Sequence, residues 1–126
     1  RSAIAEPGTV MVLDEAGEIV PCQVSYDRRV AGVLAGAGSF RPGIVMDRQE
    51  QAPGRRLAVA LVGKAFCRAD AGFGAIAIGD LMTTSATEGH AMKAVDPARA
   101  FGAVIGKAMA PLEEGRGLIP ILIALQ

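Results

Sequence analysis

GDLMTTSATEGHAMKA, residues 79–94, has the pattern of a β-hairpin, in which two short strand-like runs flank a polar turn. The β-branched side chains of Thr83 and Thr84 favour an extended strand, and Gly89 suits a turn position with a left-handed backbone. The same stretch contains the only histidine of the chain. It therefore poses a choice between a hairpin with a polar turn and a small catalytic cluster.

The hairpin pattern occurs twice in the chain. PGTVMVLDEAGEIVPC, residues 7–22, matches residues 79–94 after a shift of 72 positions. With two more residues inserted, Gly32 of VAGVL falls on Gly106 of VIGKA, and an apolar run led by glycine follows each of them. Such self-similarity indicates two related β-units. We expect a buried strand over 57–70 to join them.

Further short elements follow from the same kind of pattern. The expected strands lie at 29–38, about 103–109 and the C-terminal LIPILIALQ; residues 39–47 are expected to form a turn at Pro42-Gly43 followed by a short strand, and 48–56 a loop. Asp96 is a suitable helix N-cap and Pro97 suits the first helical position, whereas Gly102 and Gly106 disfavour a longer helix. The sequence therefore predicts at most one short helical turn, near 97–100.

The composition fits a single all-β domain over residues 1–126. This length is common for one domain, and 51 % of the residues are hydrophobic although only 4 % are aromatic. Small aliphatic side chains must therefore fill the core, which suits the packing of sheets. We expect a compact barrel or sandwich of short strands, built from the two related hairpin-containing units.

Charge and hydropathy argue against two classes of partner. Thirteen basic and thirteen acidic residues cancel, and no basic block stands out, so binding to nucleic acid is not expected. No apolar stretch approaches the roughly 20 residues that span a bilayer, so membrane insertion is not expected either. Because the chain starts with Arg and shows no signal peptide, we expect a piece of a longer protein.

The cysteines do not have the spacing of a metal site. Cys22 and Cys67 are isolated, with neither a CxxC motif nor a paired histidine. They are either buried thiols or, in an exported protein, one disulfide. The glycine-rich stretches lack the spacing of a phosphate-binding loop. We therefore expect neither a metal nor a cofactor.

Four side chains of the hairpin are candidate catalytic residues: Asp80, Ser85, Glu88 and His90. A four-residue loop would place Ser85 opposite His90, and directly opposed residues have Cβ atoms about 4.5–5.5 Å apart. The Ser85 hydroxyl would then reach a ring nitrogen of His90, as in a Ser–His nucleophile pair. Asp80 or Glu88 would orient the imidazole.

The internal repeat argues against this catalytic interpretation. It places Leu13 and Glu18 at the positions that match Ser85 and His90, and these two residues have no joint chemistry. No oxyanion-hole motif accompanies the pair. The sequence therefore favours a structural hairpin, in which the Asp80 carboxylate caps a turn.

Several motifs together resemble a known domain: PG-x-V-x-x-L-D, V-A-G-V-L, V-G-K-A, G-D-L-x-T-T-S-x-T-x-G-H-A-M-K-A and I-G-K-A-M. Over nearly its whole length the chain is similar to a C-terminal domain of long bacterial and phage proteins. This is the phage neck-appendage and tail-fibre type, also described as an intramolecular-chaperone autoprocessing domain (peptidase G2). The resemblance implies a compact all-β homotrimer at the end of a fibre-like chain. It also implies a place on a virion or phage-derived particle, or on the bacterial surface or outside the cell.

Three functions follow as hypotheses. The first is a structural self-association module whose partners are copies of itself and the upstream fibre segments. The second is a self-cleaving peptidase that separates from the upstream fibre, with Ser85, His90, Asp80 or Glu88 taking part. The third is a receptor- or glycan-binding tip, which a content of one Tyr and four Phe disfavours. We expect a structural protein rather than an enzyme.

Overall fold

The computed structural model describes residues 6–36, 43–46 and 58–125, and gives side-chain surroundings for 6–36 and 63–125. These residues form nine strands: β1 Val10–Leu13, β2 Ile19–Pro21, β3 Val30–Leu34, β4 Gly43–Met46, β5 Ala58–Asp70, β6 Leu81–Thr84, β7 Ala91–Lys93, β8 Val104–Ala108 and β9 Arg116–Ala124. A 3-10 turn, Ala71–Phe73, follows β5, and the four-residue helix α1, Pro97–Ala100, precedes β8. The predicted all-β class and the helical turn at 97–100 are confirmed, and the 3-10 turn is an addition.

The strands form one hydrogen-bonded network that closes on itself. Their order is β2-β1-β3-β5-β7-β6-β8-β9, β4 also pairs with β5, and β9 returns to pair with β5. Strands β5, β7, β6, β8 and β9 therefore make a closed circuit, which is the defining feature of a barrel. The β5–β7 pairing is parallel and consists of one residue pair, Ala69 with Ala91, whereas the other pairs are antiparallel.

The two predicted units are present, with β1–β4 in the first and β6–β9 in the second. In each unit the first strand pairs with its hairpin partner and with the third strand, and a bulge interrupts the second of these pairings. The entry to each unit repeats the same contact. The Gly8 amide donates to the Leu34 carbonyl at 2.8 Å, and the Gly79 amide donates to the Ala108 carbonyl at 2.8 Å. Strand β5 joins the two units, as predicted.

One detail of the predicted repeat was wrong. The Asp14 amide donates to the Glu18 carbonyl at 2.9 Å, and the Ser85 amide donates to the His90 carbonyl at 3.2 Å. Asp14, and not Leu13, is therefore the counterpart of Ser85. The reason is turn length, because three residues separate Asp14 from Glu18 and four separate Ser85 from His90. The offset is 71 positions before the turn (85 minus 14) and 72 after it (90 minus 18).

A single core cluster spans both units. It contains buried aliphatic residues of the first unit and of the barrel, together with the two cysteines: Val10, Val12, Cys22, Val33, Cys67, Met82, Ile105, Ile119, Ile121 and Ile123. Inward residues of β9 alternate with outward ones, as expected for a strand with one face on the core. The barrel is therefore filled by side chains.

The helical turn attaches to the first unit. The Asp96 carboxylate accepts hydrogen bonds from the amides of the first turn, and Pro97 occupies the first helical position, as predicted. The Tyr26 hydroxyl accepts from the amides of Val95 and Asp96 at 2.9 and 3.0 Å. The guanidinium of Arg99 lies 4.5 Å from the centre of the Tyr26 ring. These contacts hold the loop after β2 against the second unit.

Two predictions fall outside the described residues: the loop over 48–56 and the Pro42 part of the Pro42-Gly43 turn. The predicted strand after that turn is present as β4. Among the residues that the structure describes, no helix has the length and hydropathy needed to cross a bilayer.

Candidate functional site

The turn between β6 and β7 lies against the end of β5 through Asp70. The Thr87 hydroxyl donates to Asp70 Oδ2 at 2.6 Å, and the amide of Gly72 donates to Asp70 Oδ1 at 2.8 Å. Arg116 Nε lies 3.5 Å from Asp70 Oδ2. Asp70 is only 8 % exposed, so this carboxylate is satisfied largely by protein groups.

These contacts stabilise the ionised form of Asp70. The Thr87 hydroxyl makes the largest contribution to lowering the pKa of the carboxyl group, and the amide of Gly72 and the charges of Arg116 and His90 add to it. Burial acts in the opposite direction and is outweighed. A carboxylate whose pKa is lowered is a weak general base, so Asp70 is better suited to fixing the turn than to moving protons.

Ser85 and His90 face each other across the turn, as predicted, but their side chains do not form a nucleophile pair. Ser85 is fully buried, and its hydroxyl donates to the main-chain carbonyl of His90 at 2.7 Å. The amide of Thr87 donates to the same Ser85 oxygen at 3.2 Å. The hydroxyl thus ties the two sides of the turn together.

The other candidates also make local contacts. His90 Nδ1 lies 2.9 Å from the Glu88 carbonyl oxygen within the turn. Asp80 Oδ2 accepts from the amide of Ala77 at 2.8 Å, which confirms the predicted turn cap, and lies 3.6 Å from Lys93 Nζ. The structure therefore brings Ser85, Glu88 and His90 together in one turn, whereas Asp80 caps the turn that precedes β6.

Sequence reasoning missed Asp70 and Thr87, whose side chains are joined by a hydrogen bond of 2.6 Å. The available signal was the Asp-x-Gly pattern at 70–72, which is typical of a carboxylate that accepts from the amide two residues on. Its pairing with Thr87 depends on the path of the chain over 17 residues. Nothing in the local pattern specifies that path.

The cysteines are free buried thiols, and Cys22 packs against the same turn. Cys22 and Cys67 are both fully buried and unpaired. The Cys22 thiol lies 3.7 Å from the Ser85 carbonyl oxygen and 3.5 Å from that of His90. Burial raises the pKa of both thiols. Of the alternatives left open by the sequence, the structure shows buried thiols.

No potential metal centre is found in the part of the chain that the structure describes. Within residues 6–36, 43–46 and 58–125, no three side chains of His, Cys, Asp or Glu converge in a way that would hold an ion.

The outer face of β9 carries exposed leucines. Leu118 and Leu122 are 44 % and 46 % exposed, and Pro120 lies between them on the same side of the strand. In the strand register, Leu122 lies opposite Lys64 of β5 on one side and Lys107 of β8 on the other. We call these five residues the β9 face.

An open groove of about 420 Å³ lies beside the β1–β2 hairpin. Its apolar lining includes Leu13, Val20 and Val24. Its charged lining consists of four carboxylates and one guanidinium: Asp14, Glu15, Asp27, Glu88 and Arg29. We call this depression the β1–β2 groove. Glu88, one of the predicted site residues, thus lines this groove.

Comparison with protein-family models, with curated protein sequences and with solved structures found no match. The resemblance to C-terminal domains of phage and bacterial fibres therefore stays a prediction.

Proposed function

We propose that this chain is a self-association module that forms a trimer at the C-terminal end of a longer, fibre-like bacterial or phage-derived protein. The observation that carries the proposal is the β9 face. Outward positions on a sheet that meets water are ordinarily polar, whereas here Leu118 and Leu122 are nearly half exposed. An exposed apolar surface on a small domain is typical of a protein interface.

The position of β9 favours contact through side chains. β9 pairs with β5 from Arg116 to Ala124 on one side and with β8 at Ile121–Ile123 on the other, so the main-chain groups around Leu122 are paired on both sides. A second copy would therefore cover Leu122 rather than add a strand beside it. Burying the exposed half of one leucine contributes about 1 kcal/mol, which accumulates over the copies of an oligomer.

The turn geometry supports a structural role for the predicted catalytic residues. Self-cleavage, the alternative function, would require the Ser85 hydroxyl to leave the His90 carbonyl and reach a peptide bond of the upstream chain. In the structure that hydroxyl is fully buried, donates its proton to the His90 carbonyl and accepts from the Thr87 amide. The β9 face needs no such rearrangement to act.

The proposal is tested by removing the apolar character of the β9 face. We would measure solution mass by light scattering on a sizing column for the natural chain and for the double variant Leu118→Gln and Leu122→Gln. Ile78→Gln is the matched control, because Ile78 is 69 % exposed and lies in the loop before β6. We expect the double variant to lose the oligomer and the control to keep it. An oligomer of unchanged mass and affinity in the double variant would overturn the proposal.

A further inference from the structure

We propose that the β9 face of one copy docks into the β1–β2 groove of the next copy. This inference rests on the proposed self-association and names the two surfaces that meet in it. The partner is therefore a second copy of this chain, and each copy uses two different surfaces.

Charge is segregated between the two surfaces. The chain as a whole is neutral, with thirteen basic and thirteen acidic residues. The β1–β2 groove nevertheless carries four carboxylates against one guanidinium, a formal charge of −3. The β9 face carries the exposed side chain of Lys107, which lies opposite Leu122 in the strand register. Surfaces of opposite charge steer each other together and disfavour wrong pairings.

Both surfaces also carry exposed apolar side chains. Leu118 and Leu122 stand four residues apart on the outer side of one strand, which is about 13 Å at 3.3 Å per residue. They form an apolar line on the outer side of the strand, with Lys107 beside Leu122. The groove is lined by Leu13 and Val24, exposed at 41 % and 58 %, together with its carboxylates. Both surfaces would lose apolar exposure in the contact.

The charges also decide between two kinds of symmetry. If the β9 face met its own copy at Leu122, the Lys107 side chains of the two copies would be brought together. If the groove met its own copy, four carboxylates would oppose four carboxylates. Contact between unlike surfaces avoids both repulsions. Such a heterologous contact generates a closed ring when the rotation between copies closes, and a ring of three fits the proposed trimer.

The experiment is a charge reversal with a compensating partner. Lys107→Glu changes the β9 face, and Glu88→Lys changes the groove at a side chain that projects into solvent from the turn. Each single variant is expected to raise the dissociation constant of the oligomer at least about tenfold, as for close charge pairs at other interfaces. The double variant is expected to restore it. Glu114→Lys, an exposed carboxylate outside both surfaces, serves as the control.

The outcomes separate this inference from the proposed function. If the natural chain is an oligomer whose affinity is indifferent to both reversals and to salt between about 0.05 and 0.5 M, the docking inference is wrong and self-association stands. The inference is also wrong if both single variants weaken the oligomer and the double variant weakens it further. A natural chain that is monomeric at every concentration overturns the proposed function and the inference together.

Discussion

Gly106 of β8 lies so close to Leu122 of β9 that a Cβ atom on Gly106 would be 2.1 Å from the Leu122 carbonyl oxygen. Real Cβ atoms do not approach a backbone oxygen at this distance, so the pairing of β8 with β9 depends on glycine. We expect Gly106→Ala to reduce the free energy of unfolding by about 3 kcal/mol, the upper part of the range for overpacking. Denaturant unfolding followed by circular dichroism measures this loss.

Gly17→Ala is the matched control for that substitution. Gly17 has a φ of 81° and open space around the Cβ position, so alanine there meets only the cost of a left-handed backbone, about 1 kcal/mol. Equal losses for the two variants would contradict the close approach of β8 and β9.

The contact between Thr87 and Asp70 makes stability depend on pH. Since the folded pKa of Asp70 lies below its ordinary value of 3.8, the unfolded chain takes up this proton first as the pH falls. The stabilisation is present above the ordinary pKa and is lost as the pH falls through 3.8 towards the lower folded value. Over this acidic range, we expect the free energy of unfolding to fall less steeply in Asp70→Asn than in the natural chain.

Substitutions of Thr87 test the cause of that dependence. Thr87→Val removes the hydroxyl that donates to Asp70, and we expect a loss of about 1.5–3 kcal/mol at pH 7, as for a hydrogen bond to a charged group. Thr87→Ser keeps the hydroxyl and should keep most of the stability. A valine variant as stable as the serine variant, with the pH dependence of the natural chain, would show that the hydroxyl has no such role.

Ser85 is expected to behave as a structural residue. Ser85→Ala removes the hydrogen bond to the His90 carbonyl and should reduce the free energy of unfolding by about 1 kcal/mol, measured by denaturant unfolding. A denaturing gel shows whether a chain extended upstream is cut. Ser85→Ala and His90→Gln should give the same result on this gel as the unsubstituted extended chain. An extended chain that is cut, and that either substitution keeps whole, would contradict the structural role.

The two thiols are expected to be unreactive in the folded protein. Cys22 and Cys67 are fully buried, and burial raises the pKa of each, so little thiolate is present at pH 8. A thiol reagent such as dithionitrobenzoate should label neither cysteine in the folded chain and both in denaturant. Fast labelling of either one under native conditions would contradict the burial of these side chains.

The elements that the sequence predicted well are those with strong local signals. Thr83, Thr84 and Gly89 specify a hairpin by strand and turn preference, and Asp96 with Pro97 specifies the helical turn. In each case the residues that carry the signal are neighbours in the chain. The structure therefore confirmed both elements.

The missed features depend on contacts between distant segments. The sequence shows the segment GKA twice, in VGKAF (62–66) and in IGKAM (105–109). It does not show that β9 lies between these two copies in the sheet. In the structure, one segment of β9 pairs with both copies of GKA. Ile123 lies between Gly63 and Gly106, Leu122 between Lys64 and Lys107, and Ile121 between Ala65 and Ala108. A one-residue difference in turn length likewise moved the counterpart of Ser85 from Leu13 to Asp14. Local pattern does not specify such a register.

The mass of the natural chain in solution tests the central claim most directly. Light scattering on a sizing column, over a range of loading concentrations, gives this mass without reference to shape. We predict a species of about three times the 12.9 kDa protomer mass, for three copies in one closed assembly. A single species at 12.9 kDa across the whole range would contradict self-association through the β9 face.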